Sequence, residues 1–408
     1  MSHPNVLILV THDSGRYFGC YGIPTVQTPH IDALARGGVV LDQFTAACPI
    51  CSPSRGTMFT GRHPQRNGLI GLTHHGFHFK TGERHAAAIF RDAGYSTTLF
   101  HFQHVAEREE WRNLGFENFL MRSRDEEFPN YPDMAIPAGE LAEGVAQWLG
   151  SRAGDSRPFY AQVSFNETHT PFNFGGVGPD STRGVTVPPW IERDAESEAH
   201  FAMLQGSAAA LDRGVGRILE ALDRAGLADK TLVVFATDHG FEAMRDKWTL
   251  YESGIGIACM FRHPSLGAGR RVAAPLGNVD FLPTVLDLAG VELPANLDGQ
   301  SFAPLLRGGV GEARPVFAIY HNTGVRSVRD GDWKLIRNFA AEPYQQEVPV
   351  TINRRKPARA RQPVELYDLA RDPHEAENLA PAEPAVVARL NTLLADWMRT
   401  MNDPCSLS

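Results

Sequence analysis

The chain has 408 residues, of which 43% are hydrophobic, and this predicts a globular protein with one large α/β domain and a smaller companion. Its formal net charge of −8 argues against broad electrostatic binding to nucleic acid or to an anionic membrane, so we expect neither as a partner. Five cysteines are an odd and sparse set that argues against a disulfide framework and fits a reducing compartment.

The N-terminal residues carry no basic region ahead of a sustained apolar stretch. The first apolar run, at 5–10, is too short for a signal peptide or a membrane span. We therefore expect a cytoplasmic location.

Apolar runs alternate with amphipathic stretches as far as residue 289. The runs predict strands at 5–10, 39–44, 96–100, 158–165, 231–237 and 256–262. Apolar residues at helical spacing predict helices at 29–37, 54–60, 83–94, 139–149, 200–225 and 279–289. The alternation is typical of βαβ units and a parallel sheet.

The pattern changes near residue 305. Short strands are predicted at 316–320, 327–329 and 333–337, and a closing helix at 383–401. No secure element is predicted at 105–138, and frequent glycines and prolines indicate a loop at 172–189. We therefore predict a main domain, 1–305, and a small α+β subdomain, 306–408, with short antiparallel strands and the closing helix.

The run CSPSRGTMFT at 51–60 predicts a site for an anion. Pro53 suits the first turn of a helix, Ser52 is the predicted N-cap, and Gly61 is the predicted stop. Cys51 then lies at the positive end of the helix dipole, where unpaired N–H groups attract negative charge. The guanidinium of Arg55 can donate hydrogen bonds to two oxygens of a tetrahedral anion such as sulfate or phosphate.

Two polar pairs, His12-Asp13 and Asp238-His239, each follow a predicted strand directly. Because ligands of parallel sheets collect at the carboxyl ends of strands, both pairs are expected to meet there. An aspartate that follows a strand can also simply cap the next helix. For one pair alone, this explanation and a metal site have equal weight. Two pairs together with the Cys51 loop favour a divalent metal site.

Cys-x-Pro-Ser-Arg at 51–55, followed by Thr-Gly-Arg at 60–62, resembles the signature of the type I sulfatase family. The resemblance implies an alkaline-phosphatase-like fold, with a large mixed, mostly parallel sheet flanked by helices, in which 1–305 is the catalytic domain. It also implies that Cys51 is converted to formylglycine by a formylglycine-generating enzyme. The aldehyde is then the nucleophile.

In that family an Asp-Asp pair and a late Asp-Asn or Asp-His pair hold calcium together with the formylglycine oxygen. The matching residues are His12, Asp13, Cys51, Asp238 and His239. A histidine at position 12 departs from the pattern, because calcium prefers oxygen donors and two imidazoles favour zinc or manganese. Calcium is the ion that the resemblance implies; either the metal differs or His12 is turned away.

Three further residues take catalytic roles by resemblance. Lys247, in a Lys-x-x-x-Tyr-Glu-x-Gly element, matches the lysine that contacts sulfate. His169 matches the histidine that protonates the leaving group, and His104 matches a second histidine that faces the nucleophile. Phe102 stands where the family has another lysine, so one positive charge is missing from the expected sulfate site.

Stretches at 60–79, 326–328, 365–379 and 397–404 resemble the heparan N-sulfatases, or N-sulfoglucosamine sulfohydrolases, within this family. This implies hydrolysis of a sulfate ester or sulfamate of a sulfated saccharide or another small sulfated molecule, an N-sulfoglucosamine-like amino sugar above all. Histidines 74, 75, 78 and 321 are candidates for lining the substrate pocket.

Two alternatives stay open. The chain can be a phosphonate monoester or phosphodiester hydrolase of the same superfamily, or a non-catalytic binding protein that retains the fold. The presence of the full set of site residues argues against the second alternative. A homo-oligomer is also left open.

Overall fold

The first apolar run of the chain, NVLILVT, forms the central strand of the larger sheet, β1 (Asn5–Thr11). In the computed structural model, which describes residues 3–121, 136–243, 245–320, 324–339 and 362–405, this sheet has nine strands. The others are β2 (Val39–Thr45), β3 (Ser96–Phe100), β4 (Asn118–Leu120), β5 (Phe159–Ser164), β6 (Thr231–Thr237), β7 (Gly256–Arg262), β8 (Arg270–Val272) and β9 (Leu276–Gly277).

The strand order is β4-β3-β5-β1-β6-β7-β2-β8, with β9 paired to β2. β1 runs parallel to both of its neighbours, β5 and β6. Among the described pairs, the antiparallel ones are those that β7 makes with β6 and β2. The sheet is therefore mixed and mostly parallel, which confirms the predicted class.

Helices cover both faces of this sheet. The helices of the described residues are α1 (Pro29–Arg36), α2 (Cys51–Thr60), α3 (Pro64–Asn67), α4 (Ala86–Asp92), α5 (Ala138–Ser151), α6 (Ala195–Arg224), α7 (Glu252–Ile255), α8 (Phe281–Ala289), α9 (Ala303–Leu306) and α10 (Pro384–Met401), the last of which packs on a second sheet. Within the described ranges, none of them combines the length and apolar character that crossing a bilayer requires.

Side chains of β1 alternate between two apolar cores, as the pleat of a strand dictates. Val6, Ile8 and Val10 join the core under α2, α4 and α8. Leu7 and Leu9 join the core under α1, α5 and α6. Because both faces are covered, the continuous apolar run lies at the centre of a three-layer structure, which confirms the predicted buried strand.

α6 begins at Ala195, earlier than the predicted start at residue 200, because a capping box is present. The N–H of Ser197 donates to Asp194 Oδ1 at 2.8 Å, and the N–H of Asp194 donates to Ser197 Oγ at 2.9 Å. The two bonds satisfy N–H groups at the start of the helix. The apolar pattern starts later than this cap, which explains the difference.

A second, antiparallel sheet forms the C-terminal part, with strands β10 (Val316–Tyr320), β11 (Val325–Asp330), β12 (Trp333–Asn338) and β13 (Val364–Asp368) in that order. Apolar residues of α10, among them Leu394 and Trp397, pack on one face of it. The Ile319 N–H donates to the Ala47 carbonyl at 2.8 Å, which ties the sheet to the main domain. This confirms the predicted small α+β part, whereas the boundary at 305 and 306 stays a prediction.

Candidate active site

The polar pairs that follow β1 and β6 lie side by side, because these two strands are parallel neighbours in register. The N–H of Asp13 donates to Asp238 Oδ1 at 3.0 Å. Behind them, the N–H of Gly15 donates to the His239 carbonyl at 2.8 Å. Gly240 allows the segment at 253–254 to pack closely behind the second pair, since a Cβ there would lie 1.9 Å from the Ser253 carbonyl oxygen. The sheet topology therefore brings both pairs to one point.

Helix α2 carries Cys51 into the same point. The hydroxyl of Ser54 donates to the Asp238 carbonyl at 2.5 Å, and Asn278 Nδ2 donates to the Ser54 carbonyl at 3.1 Å. The predicted N-cap, Ser52, is wrong: the helix already begins at Cys51, after the extended residue Ile50. Ser52 Oγ instead accepts the N–H of Thr73 at 3.3 Å, because the start of the helix is buried against that loop.

The five predicted metal-site residues form one buried cluster of side-chain donor atoms, all within 4.8 Å of one another: His12, Asp13, Cys51, Asp238 and His239. Cys51 Sγ lies 3.2 Å from His239 Nε2 and 3.7 Å from His12 Nδ1. His12 faces the cluster and is not turned away, since its Nδ1 lies 2.9 Å from Asp13 Oδ1. Carboxylates and imidazoles converging in a dry site fit a divalent metal ion.

Two cations compensate the carboxylates of the cluster. Lys247 Nζ donates to Asp13 Oδ2 at 2.6 Å, and Arg55 Nε donates to Asp238 Oδ2 at 2.9 Å. All of these side chains are buried. Arg55 donates hydrogen bonds to Asp238, Ser164 and the Thr11 carbonyl, so the structure places its guanidinium beside a carboxylate. Binding of a substrate anion by Arg55 stays a prediction.

The charges shift the ionisation of these groups. Burial alone would raise the pKa of Asp13, but Lys247 and the nearby imidazoles hold that pKa well below its usual range. The pKa of Asp238 is likewise held low, against its burial, by neighbouring imidazoles and Arg55. Burial lowers the pKa of His12 to about 3, although both carboxylates oppose this. The carboxylates are ionised and His12 is neutral near pH 7, which is the state that metal binding requires.

His169 lies at the outer side of the cluster, with a side chain that is 15% exposed. Its Nδ1 donates to the Thr170 carbonyl at 2.6 Å, and its Nε2 lies 3.4 Å from Lys247 Nζ. Burial lowers the pKa of His169, and the charge of Asp13 partly offsets this. The ring nitrogen that faces the cluster is therefore Nε2.

Sequence reasoning missed Glu242. Its Oε2 accepts the Thr170 hydroxyl at 2.9 Å and lies 3.9 Å from Lys247 Nζ. It also belongs to a second group of potential metal-binding side chains, with Asp13 and His169. Its position three residues after His239 was the available signal, because a short loop after a strand end stays near that end.

His104 and Phe102 lie behind His12. Nε2 of His12 is 3.1 Å from His104 Nδ1, and the Phe102 ring stacks on the His12 ring at 5.5 Å between centroids. The Arg55 guanidinium lies 5.0 Å from the Phe102 centroid. His104 thus contacts the predicted metal ligand His12, and its position facing the nucleophile stays a prediction.

Of the other candidate pocket histidines, the structure describes those at 74, 75 and 78. His74 and His75 lie on a turn beside α2, with ring centroids 4.4 Å apart. His78 is exposed and its Nδ1 lies 3.7 Å from Glu110. His321 lies outside the described residues.

The segment that carries Lys247 is anchored on the C-terminal sheet. The Tyr251 hydroxyl donates to Glu365 Oε2 at 2.8 Å. Lys334 Nζ donates to Glu252 Oε1 at 3.0 Å and lies 2.9 Å from Glu375 Oε1. These contacts are buried, so strands β12 and β13 help to fix the loop that presents Lys247.

Two family models match the chain. The Sulfatase model matches residues 4–291, and the model of the N-sulphoglucosamine sulphohydrolase C-terminal region matches residues 238–348. Steryl-sulfatase of Mus musculus is 30% identical over 93% of this chain and 79% of its own length. N-sulphoglucosamine sulphohydrolase of Homo sapiens is 27% identical over 98% of this chain and 91% of its own length.

Solved structures agree on the fold. Phosphonate monoester hydrolase of Agrobacterium radiobacter has a TM-score of 0.75 at 23% identity, covering 98% of this chain and 95% of that one. A protein in complex with its substrate D-glucosamine-2-N,6-O-disulfate has a TM-score of 0.74 at 18% identity, covering 99% of both chains. These likenesses confirm the alkaline-phosphatase-like fold, and the match over residues 4–291 makes this chain a member of the sulfatase family, the hydrolases of sulfate esters.

Proposed function

We propose that this sulfatase hydrolyses the sulfate ester or sulfamate of an N-sulfoglucosamine-like amino sugar, with a formylglycine made from Cys51 as nucleophile. The observation that carries the proposal is the position of Cys51 Sγ. It lies at the N-terminus of α2, 3.2 Å from His239 Nε2, within a cluster of buried carboxylates and imidazoles. In the unmodified chain this sulfur stands where an oxygen of the aldehyde hydrate would be.

The modification supplies the turnover step. Of the two hydroxyls of an aldehyde hydrate, one attacks sulfur, and loss of the proton of the other re-forms the aldehyde and expels sulfate. A divalent ion in the cluster would lower the pKa of the attacking hydroxyl and neutralise charge on the sulfuryl oxygens. Because Cys51 is only 5% exposed, the modifying enzyme must reach it before the chain folds around it.

The residues around the nucleophile have separate tasks in this proposal. Lys247, and Arg55 behind the cluster, supply positive charge toward the sulfuryl oxygens. His169 gives a proton to the departing oxygen or nitrogen through Nε2, since its Nδ1 is already bonded to the Thr170 carbonyl. An anionic substrate beside His169 raises its pKa, and this favours the protonated form that the step needs.

The choice of an amino sugar rests on the relatives. The C-terminal model of N-sulphoglucosamine sulphohydrolase matches residues 238–348, and the human enzyme of that name aligns with nearly the whole chain. A protein of the same fold is solved with a glucosamine disulfate as its substrate. The steryl-sulfatase match shows that the family also contains other substrate classes, so the substrate is open to test.

The test is sulfate release from glucosamine N-sulfate beside glucosamine 6-O-sulfate, with protein whose Cys51 peptide carries the aldehyde by mass spectrometry. We expect faster release from the N-sulfate, and faster release from the 6-O-sulfate would overturn the narrow assignment. Cys51→Ser should reduce turnover to background with an unchanged melting temperature. Cys48→Ala, a buried thiol of the same loop, is the matched control and should retain turnover.

A phosphonate monoester or phosphodiester hydrolase is the second candidate. Phe102 leaves the site with one ammonium fewer than the resemblance implies, and a phosphonate monoester hydrolase shares the fold. A sulfate ester and a phosphonate monoester each present one negative charge, so charge alone separates them weakly. Hydrolysis of an aryl phosphonate ester in preference to both sulfated sugars would favour this candidate.

A further inference from the structure

The two carboxylates of the cluster can each offer one oxygen to an ion. Asp13 Oδ2 accepts Lys247 Nζ at 2.6 Å. Asp238 Oδ1 accepts the backbone N–H groups of Asp13 at 3.0 Å and of His239 at 2.9 Å. Asp238 Oδ2 also accepts Arg55 Nε at 2.9 Å, so three of the four carboxylate oxygens already accept a hydrogen bond from the protein. The oxygens that face the imidazole nitrogens of the cluster are Asp13 Oδ1 and Asp238 Oδ2.

The other two donors that face the cluster are nitrogens. His239 Nδ1 donates to the Gly240 carbonyl at 2.9 Å, which leaves Nε2 to face Asp13 Oδ1 at 3.2 Å. His12 Nδ1 lies 2.9 Å from Asp13 Oδ1 and 3.3 Å from Asp238 Oδ2. The side chains at positions 12, 13, 238 and 239 therefore present two oxygens and two nitrogens.

The ring of His12 is held in this orientation from behind. It is fully buried and stacks on Phe102 with an interplanar angle of 30°. Its Nε2 lies 3.1 Å from His104 Nδ1. When Nδ1 of His12 binds an ion, the ring proton is on Nε2 and is donated to His104. Such an outer hydrogen bond orients a ligating imidazole and raises its basicity.

Calcium takes about 6–8 oxygen ligands, whereas zinc and manganese accept imidazole nitrogen readily. Even if water and an oxygen from residue 51 complete the set, two of the four side chains at 12, 13, 238 and 239 present nitrogen, which calcium does not favour. We propose that the ion is a first-row transition ion, zinc or manganese, rather than calcium. In this assignment His12 is a ligand and His104 is the positioning residue that orients it. The inference rests on the metal site of the proposed function.

Metal analysis tests the choice of ion directly. Aldehyde-bearing protein is stripped with a chelator, equilibrated with calcium, zinc and manganese, freed of unbound ions by gel filtration and analysed by mass spectrometry of the elements. Calcium is supplied in roughly thousandfold excess, because first-row ions bind nitrogen donors more tightly. We expect one transition ion per chain and no stoichiometric calcium. One calcium per chain would overturn the inference.

Cobalt(II) reports on the ligands by its visible absorption, independently of turnover. The spectrum should show bands of a nitrogen-containing site, and His12→Asp should change them and increase the share of calcium bound. His104→Ala should weaken cobalt binding by about 10–100-fold while the bands of the saturated protein persist. His263→Ala, away from the site, is the matched control and should change neither measurement.

Unchanged cobalt bands in His12→Asp would show that His12 is not a ligand, and this would overturn the assignment. If either variant fails to fold, the metal content of the parent protein still decides between calcium and a transition ion. Failure of this inference is distinguishable from failure of the proposed function. Bound calcium leaves N-sulfate hydrolysis standing, and bound zinc or manganese without N-sulfate hydrolysis leaves the ion assignment standing.

Discussion

Glu167 offers a quantitative test of burial in this fold. It follows β5, its side chain is 1% exposed, and its Oε1 accepts the N–H of Ala138 at the start of α5 at 2.8 Å. Its Oε2 is buried and has no hydrogen-bond partner among the described residues. Burial, opposed by the bond from Ala138, raises the pKa of this carboxyl to about 7. Glu167 is thus a neutral acid in the folded protein over a range where it is ionised in the unfolded chain.

The sign and size of the effect follow from this difference. A folded-state pKa raised from about 4.5 to about 7 gives stability that is fully present below pH ~4.5 and is lost as the pH rises toward 7. At about 1.4 kcal/mol per pKa unit, the loss is about 3 kcal/mol. Glu167→Gln mimics the neutral acid, so its free energy of unfolding should gain about 3 kcal/mol relative to the parent protein between pH 4.5 and 8.

The assay is urea unfolding of both proteins across this pH range, compared as a difference at each pH. Glu140→Gln removes the same charge from the exposed first turn of the same helix and is the matched control. We expect no such pH-dependent difference for it. A difference between Glu167→Gln and the parent that stays constant from pH 4.5 to 8 would refute the argument, because it would mean that Glu167 is ionised and solvated in the folded protein.

Three further substitutions test the C-terminal part. Asp403→Ala leaves the fully buried Arg326 guanidinium unpaired and should cost about 3–5 kcal/mol in urea unfolding, and a loss under 1 kcal/mol would contradict the pairing. Leu394→Ala creates a cavity between α10 and the second sheet and should cost about 2–5 kcal/mol, measured in the same way; no loss would contradict the burial of this side chain. Burial would raise the pKa of Glu252, but Lys334 and nearby guanidinium groups lower it to about 2. Lys334→Met removes the cation that lies closest to this carboxylate. This variant should melt at a lower temperature at neutral pH and lose less relative to the parent as the pH falls toward 2, and a pH-independent difference would contradict the pairing.

The sequence was sufficient for the elements that carry their own pattern. Every long apolar run of the main domain became a strand of the large sheet, because a run such as NVLILVT is stable only when both faces are covered. The prediction lacks four strands, β4, β8, β9 and β13. β8 reads Arg-Arg-Val and exists because it pairs with β2, and β13 exists because it pairs with β12. Strands that exist only because they pair with distant segments need not show an alternating or continuous apolar pattern in the sequence.

Some features of the candidate active site were likewise predictable from the sequence, and others were not. The meeting of the pairs at 12–13 and 238–239 was predictable, since both follow strands and the ends of parallel strands converge. Lys247 came from resemblance alone, because it lies on an irregular loop whose position depends on the second sheet. Which carboxylate Arg55 contacts, and the place of Glu242 beside Lys247, depend on side-chain directions that spacing does not encode. The orientation of the His12 ring depends on side-chain packing in the same way.

The anchoring of the Lys247 loop on β12 and β13 has a consequence for the order of events during synthesis. Cys51 leaves the ribosome long before Lys334 and Glu365. At a synthesis rate of about 5–20 residues per second, the delay is on the order of tens of seconds. Until those later residues arrive, the loop at 245–252 lacks the partners that fix it. The nascent chain therefore passes through a period in which the signature around residue 51 is made but the pocket is unfinished, and that period is the time available to the enzyme that we propose modifies it.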